Sequence, residues 1–509
     1  MQRSTHRADS APGHVVVIGG GIAGLAAAHR LVGTGLRVTL LEATDRLGGK
    51  LMTGEVAGVQ VDLGAESMLA RRPEAVGLAR AVGLGDRLQP PATATASLWT
   101  RDALRPMPKG HVMGVPGDPS VLGDVLSPEG LARIAQERDL TPTAVGDDVA
   151  VGAYVADRLG REVVDRLVEP LLGGVYAGDA YRISMRAAVP QLFEVARQGG
   201  SLLDGVTRIQ EQAAARQQTG PVFQGIEGGL GTLPGAVADA VRAGGGEILT
   251  ETPVLGLTRS AEGWDVRTDA RVISADGIVL AAPAWSASTL LAAESPAASA
   301  ELAGVEYASM ALVTMAFRRS DVAGSEAFDG CSGFLVPPVD GHTIKASTFS
   351  THKWQWVSDA APDLFVLRTS VGRYGEEDHL HREDGELVDV SLSDLAAATG
   401  LAAKPVATEV TRWIGGLPQY PVGHLGRVAR IREEVAKLPA LRVCGAVYDG
   451  VGIPACIASA HRAADEIARD VAGAGAGGED VAGADDTRNG GEIIATPTLV
   501  QGTRSEAGQ

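Results

Sequence analysis

A cluster of glycines near the amino terminus has the spacing that brings a polypeptide backbone against phosphate groups. Gly19 permits a sharp turn, Gly21 removes a Cβ that would block a pyrophosphate, and Gly24 allows a helix to pack closely on a strand. Further along the chain, Glu42 can accept hydrogen bonds from both ribose hydroxyls and disfavours a 2′-phosphate. The candidate phosphate-contacting residues are Gly19, Gly20, Gly21, Ile22, Ala23 and Gly24. The pattern favours a bound dinucleotide over a structural turn.

A strand, a tight turn and a helix are needed to hold these residues in register. Residues 15–18 are β-branched and apolar, and residues 25–32 have the apolar spacing of a helix. A second strand, predicted at residues 38–41, ends at Glu42. The unpaired N–H groups and the positive dipole end of the helix would then face the phosphates.

A second pair of glycines follows in the segment RLGGK, residues 46–50. Its alternative interpretation is an ordinary β-turn with a flanking charge. The segment resembles the glycine doublet of the flavin amine-oxidase and protoporphyrinogen-oxidase superfamily, in which the backbone approaches the cofactor and the basic residue lies beside it. A simple nicotinamide domain has no need of this pair, so the resemblance implies FAD.

Length and charge restrict the possible classes of protein. A chain of 509 residues predicts two or three structural lobes rather than one core. The formal net charge of −17 argues against nucleic-acid binding and gives no general attraction to an anionic membrane. An anionic substrate would therefore need a local basic pocket.

Cysteine usage and the ends of the chain indicate a cytoplasmic protein. Cys331, Cys444 and Cys456 are widely spaced, so we expect no disulfide framework and no metal site. The first fourteen residues lack the apolar region of a secretory signal. The low-charge run at residues 277–293 contains Pro283 and predicts a buried strand entering a helix, so we expect no transmembrane segment and at most peripheral membrane contact.

Helical periodicity dominates the region from residue 119 to residue 172, where Ser127 is a predicted helix N-cap. We expect a helical lobe there that covers the active site. After this region one clear helix is predicted at residues 384–399, and the rest of the pattern predicts strands. The predicted strands are 247–249, 254–259, 263–268, 271–281, 311–317, 343–350, 364–371 and 408–413. A mixed sheet with helices on one face is the expected floor of a substrate domain.

The last structured segment predicted, residues 441–472, reads as a short strand, a glycine loop and a helix that starts near Pro454. The start of that helix offers N–H groups and partial positive charge to an electron-rich edge of a cofactor. Taken alone, the same pattern predicts only packing. The residues after 472 are small and polar, and we expect a disordered tail.

Several motifs occur together in the order found in one family. GGGIAGLAAAHRL, EATDRLGGK, LGAES, MPKG, EPLLGGVYAGD, TRWIGGLPQYPVGH and YDGVGIPACI resemble segments of the bacterial oxygen-dependent protoporphyrinogen/coproporphyrinogen III oxidases. The likeness covers residues 14 to about 472. It implies an α/β fold (α+β overall), with a Rossmann-type FAD-binding domain, a mixed-sheet substrate domain and a helical lobe. Relatives often have an acid where this chain has Ala455.

The resemblance also implies a division of the chain and a set of cofactor-binding residues. The FAD-binding domain is expected at residues 14–72, 221–290 and 436–472, the helical lobe with substrate-domain segments at 73–220, and the substrate domain at 291–435. Residues 1–13 and 473–509 are expected to be disordered. Beyond the glycine turn, the FAD site is expected to include Glu42, Ala43, Arg46, Gly49, Lys50, Gly64, Ala65, Glu66, Ser67, Val254, Trp413, Val451, Gly452 and Ile453.

The implied reaction is the oxidation of a porphyrinogen, with hydride passing to the flavin and electrons then to O2. The flavin does the redox work, so we assign no catalytic acid or base. Coproporphyrinogen III is the expected substrate, protoporphyrinogen IX the alternative, and a ferrochelatase a possible downstream partner. Candidate carboxylate-binding residues are Arg71, Arg72 and Lys109, followed by Arg182, Arg186 and Arg197.

Two other classes share the scaffold. A flavin amine oxidase would usually place aromatic residues around the substrate amine, and aromatic residues make up only 4% of this chain. A flavin-free lipid-binding escort protein would lack an intact cofactor fingerprint, which this chain retains.

Overall fold

A parallel five-stranded sheet forms the centre of the first part of the structure. The computed structural model describes residues 12–215 and 220–475. The strands, in spatial order, are Glu247–Leu249, Arg37–Leu41, His14–Ile18, Gly277–Leu280 and Leu441–Val443. All neighbours run parallel, and the central strand is buried along its whole length, as its unbroken apolar run predicts.

Helices and a small antiparallel sheet cover the two faces of this sheet. Val15 and Val17 point into a core shared with three helices, whereas Val16 and Ile18 point into a core on the opposite face. The helices on the first face are Ile22–Val32, Leu233–Ala243 and Ile453–Gly475. The second face carries strands Val254–Arg259, Trp264–Thr268 and Val272–Ala275 with helices Ala284–Leu291, Pro296–Ala303 and His424–Ala436. Hereafter Ile22–Val32 is the first helix and Ile453–Gly475 is the last helix.

A seven-stranded mixed sheet forms the second layer. Its strands, in spatial order, are Ala407–Pro418, Tyr307–Arg318, Leu364–Val371, Ile344–Thr348, Gly333–Leu335, Ser97–Thr100 and Ala103–Pro106. Only the pair between Gly333–Leu335 and Ser97–Thr100 is parallel. The helix Asp384–Thr399 packs on one face through Leu387 and Leu395. The hairpin of strands Thr53–Val56 and Val59–Asp62 packs on the other face.

A helical lobe lies between residues 119 and 215 and has its own apolar core. Its helices are Pro128–Ala135, Val151–Leu159, Arg161–Val163, Val164–Val168, Glu169–Tyr176, Met185–Ala188, Pro190–Arg197 and Leu202–Ala215. The hydroxyl of Ser127 accepts a hydrogen bond from the Gly130 N–H at 3.0 Å, so the predicted N-cap is confirmed.

Short elements complete the described part of the chain. The strands Met68–Leu69, Phe223–Ile226 and Leu88–Gln89 form one small sheet, and His111–Val112 pairs with Val115–Pro116. Three further helices are Pro73–Ala81, Ser350–Lys353 and Gln355–Ala360. Single helical turns lie at Arg319–Val322, Gly85–Arg87, Pro119–Leu122, Glu137–Asp139, Leu230–Thr232, Glu326–Phe328, Pro338–Asp340 and Glu377–His381.

The structure corrects the prediction of one long strand at residues 271–281. The chain forms Val272–Ala275 in the antiparallel sheet and then Gly277–Leu280 in the parallel sheet. The break occurs because the Asp276 N–H donates to the His14 carbonyl at 2.8 Å, and the Asp276 carboxylate accepts from the His14 N–H at 2.6 Å. The chain therefore passes from the antiparallel sheet to the parallel sheet at Asp276.

Two further elements were not expected from the sequence. No strand was predicted between residues 97 and 106, yet Ser97–Thr100 and Ala103–Pro106 form a hairpin whose turn is Arg101 and Asp102, both with positive φ. Because neither turn residue is glycine or asparagine, the usual hairpin signal is missing. The helix Leu202–Ala215 was also not predicted.

Residues 1–13 and 473–509 were expected to be disordered, and most of them, residues 1–11 and 476–509, lie outside the described residues. Residues 473–475 continue the last helix. Within residues 12–215 and 220–475, no helix is long and apolar enough to cross a membrane, and no cluster of three or more His, Cys, Asp or Glu side chains could hold a metal ion. Cys331, Cys444 and Cys456 are buried free thiols.

A buried ion pair organises the helical lobe and gives the first prediction. Arg158 donates to Glu137 at 2.7 Å, and the Glu137 side chain is 0% exposed. We expect Arg158→Met to lower the free energy of unfolding by about 3–5 kcal/mol, because it leaves a buried carboxylate without its cation. Thermal unfolding followed by circular dichroism measures the loss.

The matched control for this prediction is Arg138→Met. Its ion pair with Asp204 is 56% exposed on both sides, so the change should cost less than about 1 kcal/mol. Equal losses in the two variants would contradict the role given to the buried pair.

Candidate cofactor and substrate site

The glycine turn leaves open space in front of the first helix. A Cβ on Gly24 would lie 1.8 Å from the Gly19 carbonyl oxygen, so only glycine permits this contact between helix and turn. A Cβ on Gly21 would meet no described atom within 4 Å. None of the described side chains caps this helix end, so its N–H groups, including those of Ile22 and Ala23, are available to a phosphate.

Glu42 is fixed directly beside the turn. Its carboxylate accepts from the Gly20 N–H at 2.7 Å and from the Thr44 N–H at 2.9 Å. Oε1 also accepts from the Thr44 hydroxyl at 2.8 Å, whereas Oε2 accepts only from Gly20 and can still accept from another hydroxyl group. Ala43, next in the chain, is exposed.

The second glycine pair packs against the first. The Gly48 N–H donates to the Gly20 carbonyl at 2.8 Å, and a Cβ on Gly49 would lie 3.3 Å from the Gly21 Cα. The Arg46 guanidinium donates to the Gly49 carbonyl at 2.7 Å. Arg46 therefore holds the second turn closed over the first.

Val254 lies on the other side of Glu42. The Thr252 N–H donates to the Glu42 carbonyl at 2.9 Å, which brings the start of strand Val254–Arg259 beside the acid. Contact between the Val254 backbone and an adenine stays a prediction.

A cavity of about 520 Å³ begins where the glycine turns end. Nine of the predicted cofactor residues line it: Lys50, Gly64, Ala65, Glu66, Ser67, Trp413, Val451, Gly452 and Ile453. A Cβ on Gly64 would lie 2.2 Å from the Lys50 carbonyl, and the Trp413 indole N–H donates to the Leu63 carbonyl at 2.9 Å. These contacts bring backbone from three distant segments to one wall.

The last helix begins at this wall. Its first residue, Ile453, follows Gly452, whose carbonyl accepts from the Cys456 N–H at 3.0 Å. The segment from Val451 to Ala455 lines the cavity, so the positive end of the helix faces it. This end can stabilise negative charge that develops inside the cavity.

Glu66 joins this wall to the mixed sheet. Its carboxylate accepts from the Lys353 ammonium at 2.5 Å and from the Arg368 guanidinium at 3.3 Å. Burial opposes ionisation of Glu66, but Arg368 and Lys353 outweigh that cost and lower its pKa. The Arg368 guanidinium also donates to the Gly64 carbonyl at 2.8 Å.

The predicted substrate residues differ in position. Arg72 lines the cavity and is paired with Glu74 at 2.6 Å. Arg71 is half-buried and outside the cavity lining, and its Nε has no hydrogen-bond partner among the described residues. Lys109 is exposed and also lies outside the lining. Arg182 is paired with Glu306, Arg197 is paired with Glu194, and Arg186 donates to the Asp147 carbonyl.

Sequence reasoning missed four charged residues that line the cavity: Lys345, Lys353, Arg368 and Asp449. A usable signal existed for two of them. Lys345 and Arg368 each interrupt an otherwise apolar or neutral strand, and a cation inside such a strand normally needs a specific partner. Asp449 is held by the Arg432 and Arg462 guanidinium groups at 2.6 and 2.5 Å.

The described residues fit a dinucleotide cofactor. Open space at Gly21, an uncapped helix start and a fixed acid at Glu42 lie together, and Gly49, which packs on Gly21, is followed by Lys50 in the cavity lining. This combination of fold and site is typical of flavin-dependent oxidoreductases.

The chain belongs to the flavin containing amine oxidoreductase family, whose model matches residues 22–468. This confirms the predicted fold class and the predicted family resemblance, and it makes the protein a flavin-dependent oxidoreductase.

Individual relatives cover nearly the whole chain. A Mycobacterium tuberculosis protein named coproporphyrinogen III oxidase is 37% identical over 462 residues, covering 90% of this chain and 97% of its own. A Bacillus subtilis protein of the same name is 34% identical, with coverages of 87% and 95%. A Bos taurus protein named protoporphyrinogen oxidase is 30% identical and covers 89% of this chain and 98% of its own.

Solved structures agree with the fold. A crystal structure from Exiguobacterium sp. 255-15, described as a candidate protoporphyrinogen oxidase, has a TM-score of 0.80 and 34% identity, covering 90% of this chain and 99% of its own. The cyclohexylamine oxidase from Brevibacterium oxydans has a TM-score of 0.64 at 19% identity, covering 91% of this chain and 100% of its own. The second likeness shows the fold alone.

The open space at Gly21 gives the second prediction. We expect Gly21→Val to fold with the melting temperature of flavin-free wild-type protein, because a Cβ there meets no described atom, the backbone φ is −69°, and only the stabilisation by bound flavin is lost. Flavin retention should be lost, because the side chain would occupy the space in front of the helix. Absorbance of the purified protein in the visible flavin band measures retention.

Gly77→Val is the control for this variant, because Gly77 also has open space around its Cβ position but lies in the helix Pro73–Ala81. It should keep its flavin. Normal flavin content in Gly21→Val would contradict the assignment of this turn to the cofactor.

Proposed function

We propose that this protein is an FAD-dependent coproporphyrinogen III oxidase, which converts coproporphyrinogen III to coproporphyrin III with O2 as the electron acceptor. The names of the relatives that cover nearly the whole chain support the substrate class. The glycine turn and Glu42 support FAD, because an adenosine diphosphate portion would use the pyrophosphate and ribose positions that a smaller flavin leaves empty.

The charge of the cavity is the observation that carries this proposal. Its lining contains five cations and two carboxylates in a protein whose formal net charge is −17. The cations are Lys50, Arg72, Lys345, Lys353 and Arg368, and the carboxylates are Glu66 and Asp449. Much of the remaining lining is apolar, with Met113, Met310, Leu312, Leu335 and Leu417. Such a lining suits a flat apolar macrocycle that carries several carboxylates.

The reaction removes six electrons and six protons from the substrate and reduces three O2 to three H2O2. When bound, the flavin supplies two-electron transfer from substrate carbon to oxygen. The chain positions the substrate with cations at the cavity wall and keeps bulk water away with apolar side chains. The start of the last helix favours negative charge at its N–H groups.

The alternatives remain distinguishable. Protoporphyrinogen IX has two carboxylates rather than four and would leave more of the cavity cations without partners. An amine substrate would meet a lining with an excess of positive charge, which disfavours a cationic ligand. A flavin-free lipid-binding escort protein has no use for the open glycine turn. The number of cavity cations favours the tetracarboxylate over protoporphyrinogen IX, and the other two observations disfavour the amine oxidase and the escort protein.

We also infer a cytoplasmic location and delivery of the product to a ferrochelatase. The buried free cysteines support the first inference, since a reducing compartment preserves thiols. The second follows from the chemistry of coproporphyrin III, whose four pyrrole nitrogens are ready to receive a metal.

Product analysis tests the function. Anaerobically prepared coproporphyrinogen III, protoporphyrinogen IX and benzylamine are mixed separately with flavin-loaded protein and air, and porphyrin fluorescence and H2O2 are measured. We expect coproporphyrinogen III to give kcat/KM at least about tenfold above the other two, since that ratio corresponds to about 1.4 kcal/mol of binding energy from the extra carboxylates. Three H2O2 should form per porphyrin.

Heat-treated protein with added FAD serves as the blank for spontaneous oxidation. Faster turnover of protoporphyrinogen IX would replace the proposed substrate, and turnover of benzylamine alone would remove the porphyrinogen assignment altogether.

A further inference from the structure

Lys345 is a buried lysine that faces the cavity without an acidic partner. The residue is only 8% exposed, and among the described residues its ammonium has one hydrogen bond, to the Met310 sulfur at 3.8 Å. Thioether sulfur is a weak acceptor. Other cations of the cavity have a carboxylate partner, because Lys353 and Arg368 share Glu66 and Arg72 pairs with Glu74. A buried charge without a partner needs an explanation.

A β-bulge directs this side chain into the cavity. In strand Ile344–Thr348, Ile344 pairs with Val371 and Ala346 pairs with Ser370, so Lys345 is the extra residue. Its carbonyl accepts from the Val336 N–H at 2.9 Å, which fixes the backbone of the bulge on the other side. Bulges next to active sites commonly redirect one side chain, and this one redirects a cation.

The surroundings of Lys345 are cationic and desolvated, and a bound anion would stabilise its ammonium form. Desolvation and the nearby Arg373 guanidinium lower the pKa of Lys345 to about 7. Arg373 is held next to the bulge by the Val336 and Ile344 carbonyls at 3.3 and 3.4 Å. The ammonium form of Lys345 lies beside a second cation, Arg373, and a bound carboxylate would compensate the ammonium.

We propose that Lys345 is a specificity-determining residue whose ammonium binds a carboxylate of the substrate at the bulge. The inference rests on the proposed function, because coproporphyrinogen III is taken as the source of that carboxylate. Lys345 would thereby supply a carboxylate contact from strand Ile344–Thr348 of the mixed sheet.

Two substitutions and a control test this proposal in the full-length, flavin-loaded protein. Lys345→Met removes the cation at similar length, and Lys345→Arg keeps a cation that cannot accept a proton. Lys404→Met is the control, because Lys404 is exposed. The measurements are the Kd for coproporphyrin III from fluorescence titration, KM and kcat for coproporphyrinogen III, and the melting temperature.

We expect Lys345→Met to raise both Kd and KM by about tenfold or more, with kcat changed by less than about threefold, because a carboxylate loses its partner while the reacting centre is untouched. Its melting temperature should rise, because an unpaired buried ammonium is replaced by an apolar group. Lys345→Arg should retain most of the affinity. A lysine with only a structural role would give lower stability and unchanged Kd.

Other outcomes overturn the proposal. A lower kcat with unchanged KM in both Lys345→Met and Lys345→Arg would mean that Lys345 accepts a proton, and unchanged Kd in Lys345→Met would mean that no carboxylate binds there. If Lys345→Arg does not fold, the Met variant decides alone. If the wild-type protein binds coproporphyrin III but does not oxidise coproporphyrinogen III, the proposed function fails while the binding measurement still tests Lys345.

Discussion

The ion-pair cluster of Glu66 with Lys353 and Arg368 is the interaction on which the geometry of the site depends. Glu66 belongs to the loop that follows the first hairpin, whereas Lys353 and Arg368 belong to the layer built on the mixed sheet. A desolvated carboxylate is strongly unfavourable unless cations compensate it, so the two layers must meet in one relative position. The cavity lies at this junction, and its shape is therefore fixed by a charge requirement as well as by apolar packing.

The charge of the cavity is opposite in sign to the net charge of the protein. An acidic chain would repel a polyanionic ligand at long range, but screening limits that effect to about 8–10 Å at physiological salt. Inside the cavity, Glu66 compensates part of the charge of Lys353 and Arg368, and the other lining cations leave a net positive interior. A local excess of cations can therefore select anions within a protein of net charge −17.

Much of the dinucleotide half could be predicted from the sequence, because its signals are local. Strand, turn, helix and acid follow one another within residues 14–42, and the structure shows a steric reason for two of the glycines. Gly19 has a φ of +110°, and a Cβ on Gly24 would meet the Gly19 carbonyl. The strands Glu247–Leu249, Val254–Arg259 and Leu364–Val371 have the predicted bounds, since their apolar patterns end at clear turns. The cofactor contacts themselves, the domain boundaries and the substrate residues stay predictions.

The substrate half could not be predicted to the same extent, because the roles of its charged residues depend on ion pairs between positions that are distant in sequence. Lys353 and Glu66 are separated by 287 positions, and no pattern within a short window connects them. The hairpin of Ser97–Thr100 and Ala103–Pro106 was missed because Arg101 and Asp102 form its turn. The sequence shows which residues are charged, but which charges form ion pairs is determined only by the folded structure.

Two irregularities in the strand pairing of the mixed sheet lie next to the cavity and affect which side chains face it. In a regular strand, successive side chains point to opposite faces of the sheet, so two neighbouring residues cannot both point into one cavity. At one irregularity, between Ala308 and Met310, a single residue faces residues 414–416 of the partner strand, and at the other Lys345 is an extra residue. The extra residue at Lys345 shifts the alternation of its strand by one position, so that Lys345, Ala346 and Thr348 all line the cavity. The lining at this sheet therefore depends on two local irregularities in its pairing as well as on the identity of its residues.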